Sequence, residues 1–83
     1  MQARAMKIRG DVAPFAGRGD SRVVVREGDV EYRVMPRGAG VDLADEVGAQ
    51  VEVDGLVQED AEGERLVQVR SFRILDEFEE GGW

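Results

Sequence analysis

The sequence predicts a small all-β barrel of five strands, with one short helix between the third and fourth strands. Three observations lead to this prediction: short segments with alternating apolar residues, glycine-containing turns between them, and one capped helical segment near residues 41–48. Eighty-three residues are enough for one domain. We therefore expect a single domain over residues 1–83, with its core at 6–75 and an acidic, flexible tail at 76–83.

The first predicted strand begins near Met6 and alternates between two faces. Ile8 and Val12 fall on one face, and Lys7 and Arg9 fall on the other. Gly10 belongs to the apolar face, where a glycine commonly marks a bulge or a sharp bend. The pattern indicates a half-buried strand that bends around a barrel.

Residues 21–36 read as a hairpin that turns at Gly28, since glycine adopts positive φ without strain. We expect one face to point into the barrel, formed by Val23, Val25, Val30, Tyr32 and Val34. The outward set is then Arg22, Val24, Arg26, Glu31, Arg33 and Met35. The apolar centre of the outer face would be Val24 and Met35.

The next segment reads as a helix of about two turns. Asp42 is a suitable N-cap, and Gly48 is a suitable residue to end the helix. Leu43 and Val47 are four residues apart and therefore share one face. Because so short a helix is unstable alone, we expect it to pack on the bottom of the barrel.

Two further strands follow the helix. The fourth has an inward series of Val51, Val53, Gly55 and Val57, and a turn with Gly63 leads to the fifth. In the fifth strand, Val67 and Val69 are out of phase by one residue with Phe72 and Ile74. A bulge near Arg70–Ser71 would return both pairs to the inner face.

This order of elements resembles an oligonucleotide/oligosaccharide-binding (OB) fold, a five-stranded Greek-key barrel with a helix between strands three and four. The resemblance covers about residues 6–75 and is carried by the Gly10 strand, the Val23–Val34 hairpin, the segment DLADEVG, and the run GAQVEVDGLVQEDAEGERLVQVRSF. That final run resembles the strand–turn–strand ending of many bacterial OB domains. An SH3-like barrel or an open meander would share much of the patterning.

Composition argues against catalysis. The chain has no cysteine and no histidine, so thiolate chemistry, disulfides and the commonest neutral-pH acid/base group are all missing. Asp42, Asp45 and Glu46 read as a helix cap and dipole match rather than as ligands for a hard cation. We therefore expect neither an enzyme nor a bound metal or cofactor. With no apolar run near membrane-spanning length, we expect a cytoplasmic protein.

Charge is distributed unevenly along the chain, whose net charge is −7. Residues 1–41 carry a net +3, and residues 42–83 carry a net −10. Such asymmetry can mark a polar binding surface, although an acidic chain also stays soluble and monomeric by self-repulsion. We expect a monomer.

The OB resemblance implies a ligand-binding face across strands two and three, between loop 14–21 and turn 59–64. The residues that this places on or near the face are Phe15, Arg18, Arg22, Val24, Arg26, Arg33, Met35 and Arg37. Single-stranded DNA or RNA is one possible ligand, since arginines suit phosphates. Few aromatic side chains are available for base stacking, however, and Asp60, Glu62 and Glu64 would lie opposite the arginines.

The second class of ligand is a protein. An apolar centre with an arginine rim suits a partner segment of acidic character, and an open strand edge could accept an additional strand. The sequence therefore favours a non-catalytic interaction module or accessory subunit. Weak, salt-sensitive binding of single-stranded nucleic acid is the alternative.

Overall fold

The computed structural model describes residues 3–17 and 19–75. It is a closed five-stranded barrel with the strand order β1-β2-β3-β5-β4. The elements are β1 (Arg4–Pro14), β2 (Val23–Glu27), β3 (Val30–Val34), α1 (Ala39–Leu43), β4 (Gln50–Glu59) and β5 (Arg65–Ile74). The predicted fold class is confirmed: five strands close a barrel, and the helix lies between β3 and β4.

One long strand and one short parallel contact close the barrel. The first half of β1 pairs with β4, and its second half pairs with β2. β3 and β5 meet in parallel over only three residue pairs, from Tyr32 with Arg65 to Val34 with Val67. β4 and β5 form the longest antiparallel pair. All five strands therefore curve around one interior.

The interior is filled by the alternating apolar residues of every strand. The cluster of buried residues comprises Ile8, Val12, Val23, Val25, Tyr32, Val34, Leu43, Val51, Val53, Val57, Val67 and Val69. This set confirms the predicted inward faces of β1 to β4 and the first half of β5. The largest loss of apolar surface from water, and hence the main stabilisation, occurs here.

Gly10 is a point of close approach between β1 and β2, and the register of β1 with β4 runs through it without a bulge. A Cβ added to Gly10 would lie 1.9 Å from the carbonyl oxygen of Arg26, well inside van der Waals contact. Asp11 is the first residue of β1 that pairs with β2, so Gly10 lies directly before the point at which β2 joins β1. Only glycine allows the two backbones to approach this closely.

The predicted bulge in β5 is also confirmed. Asp54 pairs with Ser71, but the next residue, Gly55, pairs with Val69, which leaves Arg70 as the extra residue. Phe72 then packs against the core. Ile74 was predicted to point inward as well, but it is 45% exposed. The bulge therefore returns Phe72 to the inner face, but Ile74, at the end of the strand, stays exposed.

The helix begins earlier than the sequence indicates. Its N-cap is Gly38, at φ +55°, and Asp42 lies in the first turn rather than at the cap. Leu43 is fully buried, as expected of a residue that closes the barrel bottom. Val47 was predicted to share that face, but it is 52% exposed because the helix has already ended. Gly48 has φ +95° in the following turn, where its N–H donates to the Val12 carbonyl.

The acidic segment 76–83 lies outside the described residues. Among the helices of the described chain, none is long and apolar enough to cross a membrane.

Candidate ligand-binding face

Three of the eight residues predicted to bind a ligand, Val24, Arg26 and Arg33, lie on β2 and β3. Directly opposed residues on neighbouring strands share a face, so Ala13, Val24, Arg33 and Leu66 form one row across β1, β2, β3 and β5. The loop between β1 and β2 and the turn at 60–64 between β4 and β5 line one cleft together with Arg33.

Val24 does not form an exposed apolar centre. It points to the outer face, yet it is only 1% exposed. Its register neighbours are Ala13 and Arg33, and the ring of Phe15 lies beside the Arg33 guanidinium. A Cβ on Gly17 would lie 2.2 Å from that ring, so the loop backbone packs directly against Phe15. Val24 is therefore buried at a position that the alternating pattern predicted to be open.

Arg33 is the centre of a network that joins the two flanking loops. Its Nη2 lies 3.1 Å from Asp60 Oδ2 and 3.3 Å from Glu64 Oε1. Its guanidinium carbon lies 5.6 Å from the centroid of the Phe15 ring, within range of a cation–π interaction. The Arg33 side chain is only 15% exposed. It therefore links loop 15–22 to turn 60–64 and has two carboxylates against its positive charge.

Asp60 has a second task in the same network. Its Oδ1 accepts hydrogen bonds from the backbone N–H groups of Glu62 and Glu64, at 2.9 and 3.0 Å. One carboxylate oxygen thus orders the turn while the other binds Arg33. Of the predicted arginines, Arg33 is the one that these acidic residues meet, through direct ion pairs with Asp60 and Glu64.

The other predicted residues do not form one cluster. Arg26 is paired with Glu31 at 3.0 Å on an exposed part of the hairpin. Arg22 and Arg37 are exposed, and within the described chain neither makes an ion pair. Met35 is half-buried. Arg18 lies outside the described residues.

An apolar groove that the sequence did not predict lies beside α1. It has a volume of about 360 Å³ and is lined by Arg22, Val23, Val34, Pro36, Gly40, Val41, Ala44 and Asp45. Val41, on its rim, is 54% exposed. The run of small and apolar residues from Val34 to Ala44 was the sequence signal for this groove. The predicted helix began after Asp42, however, so Val41 was not expected to lie on the helix. The combination of apolar surface and arginine expected at Val24 and Met35 occurs here instead, with Arg22.

Glu52, on β4, is bound by two arginines. Glu52 accepts a hydrogen bond from Arg73 Nε at 2.9 Å and another from Arg9 Nε at 3.2 Å. These bonds, that of Arg73 first, lower the pKa of Glu52 below its ordinary value of 4.5. Glu52 is therefore held as an anion, which suits an ion pair and not a proton donor. In the described part of the chain, no three acidic residues converge to hold a metal ion.

Comparisons with protein-family models, with curated proteins and with solved structures gave no match to this chain.

Proposed function

We propose that this chain is an OB-like, non-catalytic binding module that recognises a protein segment as an accessory part of a larger assembly. Support for the OB assignment comes from the strand order and from the helix between β3 and β4, both of which an OB barrel requires. The observation that carries the choice of ligand is the pairing of Arg33 with Asp60 and Glu64.

This pairing disfavours a nucleic acid. Asp60 and Glu64 both contact Nη2 of Arg33, so a phosphate that approached this nitrogen would have to displace them. The cleft around Arg33, of about 460 Å³, is also lined by Asp60, Glu62 and Glu64, which would repel an incoming phosphate. Phe15 lines the same cleft, but Arg33 already lies over one face of its ring, and that face is not free to stack on a base.

The groove beside α1 favours a protein segment. Val34, Pro36 and Val41 offer an apolar surface, and the Arg22 guanidinium lies at its edge without an ion-pair partner in the described chain. An aliphatic side chain with an acidic neighbour matches this arrangement, since the first buries apolar area and the second meets Arg22. Asp45 on the rim favours a neutral or basic residue on its side of the groove.

A peptide titration tests the proposal. A short peptide with one leucine between acidic residues is titrated into isotopically labelled protein, and amide shifts are mapped by NMR. We expect shifts at Val34, Val41 and Ala44, and weaker shifts with a peptide in which lysines replace the acidic residues.

Two matched variants make the test specific. Val41→Asp places a charge in the groove, whereas Val47→Asp places one at a similarly exposed valine that does not line it. Val41→Asp should weaken binding at least about tenfold, equal to 1.4 kcal/mol, and Val47→Asp should leave it unchanged. Equal effects of the two variants, or shifts that avoid the groove, would rule the site out.

A further inference from the structure

Within the described chain, one edge of β1 lacks a strand neighbour over its first residues, although the barrel is closed. β1 pairs with β4 from Arg4 to Asp11, but it pairs with β2 only from Asp11 to Pro14. β2 ends at Glu27, and the turn at Gly28 carries the chain away. The first half of β1 therefore has a partner on one side only.

The hydrogen bonds of β1 identify which residues face this open edge. In a strand, the N–H and C=O of one residue point to the same side, and successive residues alternate. Val12 donates to Ala49 and accepts from Gly48, so even-numbered residues face β4. Phe15 donates to Arg22 on the opposite side, so odd-numbered residues face away from β4.

Ala5, Lys7 and Arg9 consequently present their backbone groups to the open edge. The Arg9 N–H supports this assignment, since it reaches Glu27 Oε2 on the β2 side at 3.4 Å. This is a long contact to a side chain at the place where a neighbouring strand would supply a carbonyl. Among the described residues, no hydrogen bond engages the outward backbone groups of Ala5 and Lys7.

The comparable edge of β5 is covered. Met35 donates its N–H to the Val67 carbonyl, and α1 also packs against β5. Exposed strand edges bind extended segments by adding a strand, because main-chain hydrogen bonds are already aligned.

We propose that the open edge of β1, from Ala5 to Arg9, binds an extended segment of another protein as an additional antiparallel strand that continues the line of β2. The residues of that segment opposite Lys7 and Arg9 share their outward face. An acidic side chain there complements Lys7, which makes no ion pair within the described chain, and shares Arg9 with Glu52. The residues opposite Met6 and Ile8 point inward. The partner is thus a segment in which acidic and apolar residues alternate.

The mouth of the barrel offers room for the inward side chains. A cavity of about 430 Å³ lies there, lined by Met6, Tyr32 and Val57 together with polar residues of β4 and β5 and the cation of Arg4. Met6 is only half-buried and packs at the margin of the core. An added strand would cover this margin.

A second copy of this chain does not fit the same edge. Antiparallel pairing of two β1 strands centred on Lys7 would place the two lysines directly opposite each other. A shift by one step in either direction would oppose Lys7 with Arg9 or leave fewer pairs. Like charges in opposed positions are destabilising, so the edge selects an acidic strand and discourages self-association.

The test uses the full chain and a peptide of alternating glutamate and valine, capped at both ends. Two N-methylated forms of the peptide are compared: one methylated on the amides that would face β1, the other on the amides that would face solvent. We expect the unmodified peptide to shift the amide signals of Ala5, Lys7 and Arg9. Methylation of the β1-facing amides should weaken binding at least tenfold, and methylation of the others should have little effect.

Protein variants give a second test. Lys7→Pro removes an N–H that takes no part in the ladder with β4, and Lys7→Ala removes the same charge but keeps the N–H. Lys7→Pro should bind several-fold more weakly than Lys7→Ala. Glu27→Gln should bind more tightly than the parent chain, because it removes an anion beside the incoming acidic strand.

The outcomes also separate this site from the groove beside α1, which rests on other residues. Val41→Asp should leave binding of the alternating peptide intact, and Lys7→Pro should leave binding of the leucine peptide intact. The proposal is overturned if both methylated peptides weaken equally, if Lys7→Pro binds as well as Lys7→Ala, or if the alternating peptide shifts only groove residues.

Discussion

The ion pair between Arg33 and Asp60 is open to a direct energetic test. Asp60→Asn keeps an oxygen to accept from the N–H groups of Glu62 and Glu64, but removes the charge that faces Arg33. Arg33→Met removes the opposite charge and keeps an unbranched side chain. A double-mutant cycle with these two changes isolates the pairwise coupling energy.

The expected coupling follows from the burial of the two partners. Exposed ion pairs couple by about 0.2–1 kcal/mol. Because Arg33 is 15% exposed and Asp60 is 32% exposed, we expect the upper end, about 1 kcal/mol. The pair Arg26–Glu31, whose side chains are 52% and 51% exposed, is the control and should couple by less than about 0.5 kcal/mol.

Urea unfolding followed by far-UV circular dichroism measures these energies without adding salt. In a domain of this size, 1 kcal/mol corresponds to a change in Tm of about 4–8 °C. Added sodium chloride should weaken the control pair more than the Arg33 pair, since screening acts most on exposed charges. An Arg33–Asp60 coupling below about 0.3 kcal/mol, or one no larger than that of Arg26 with Glu31, would refute the reasoning.

Two further predictions concern the barrel itself. Gly10→Ala should destabilise the fold by about 3 kcal/mol, because the added Cβ would overlap the Arg26 carbonyl. Gly28→Ala is strained only by its φ of +61° and should cost about 1 kcal/mol. Urea unfolding measures both changes, and a larger loss of stability for Gly28→Ala would contradict this prediction. Carbon-detected NMR should give Glu52 a pKa below 4.5. Because its pKa is lower in the folded than in the unfolded state, the stability that Glu52 contributes is present above about pH 4.5 and is lost as the pH falls through the folded-state pKa. Glu52→Gln should remove this acid dependence, and a measured pKa at or above 4.5 would count against the bonds to Arg73.

The fold was predictable because alternation and glycine placement are local signals. The half-buried strands of a barrel repeat every two residues, so the inward faces could be read directly. The phase change in β5 likewise pointed to the bulge at Arg70, since one extra residue is the simplest way to restore the inner face. The start of α1 was harder to predict from the sequence, because Gly38 at positive φ is not an N-cap of the common type.

The candidate site was harder to predict because alternation says which face a side chain takes, but not what covers it. Val24 does point outward, yet it is 1% exposed between its register partners Ala13 and Arg33, and Arg33 lies over the ring of Phe15. The position of Asp60 opposite the arginines followed from the turn, but its bond to Arg33 depends on the long-range approach of β3 to β5. The groove at Val41 depends on where the helix begins, so it could not be derived before that boundary was known.

The proposed preference for a protein segment over a nucleic acid rests on the pairing of Arg33 with Asp60 and Glu64. Titration of labelled single-stranded DNA and RNA, at about 50 mM and about 200 mM salt, tests it most directly. We predict no salt-sensitive binding by the parent chain, and measurable low-salt binding once Asp60→Asn and Glu64→Gln are combined. Binding by the parent chain that weakens steeply with salt and shifts the Arg33 signals would contradict the claim.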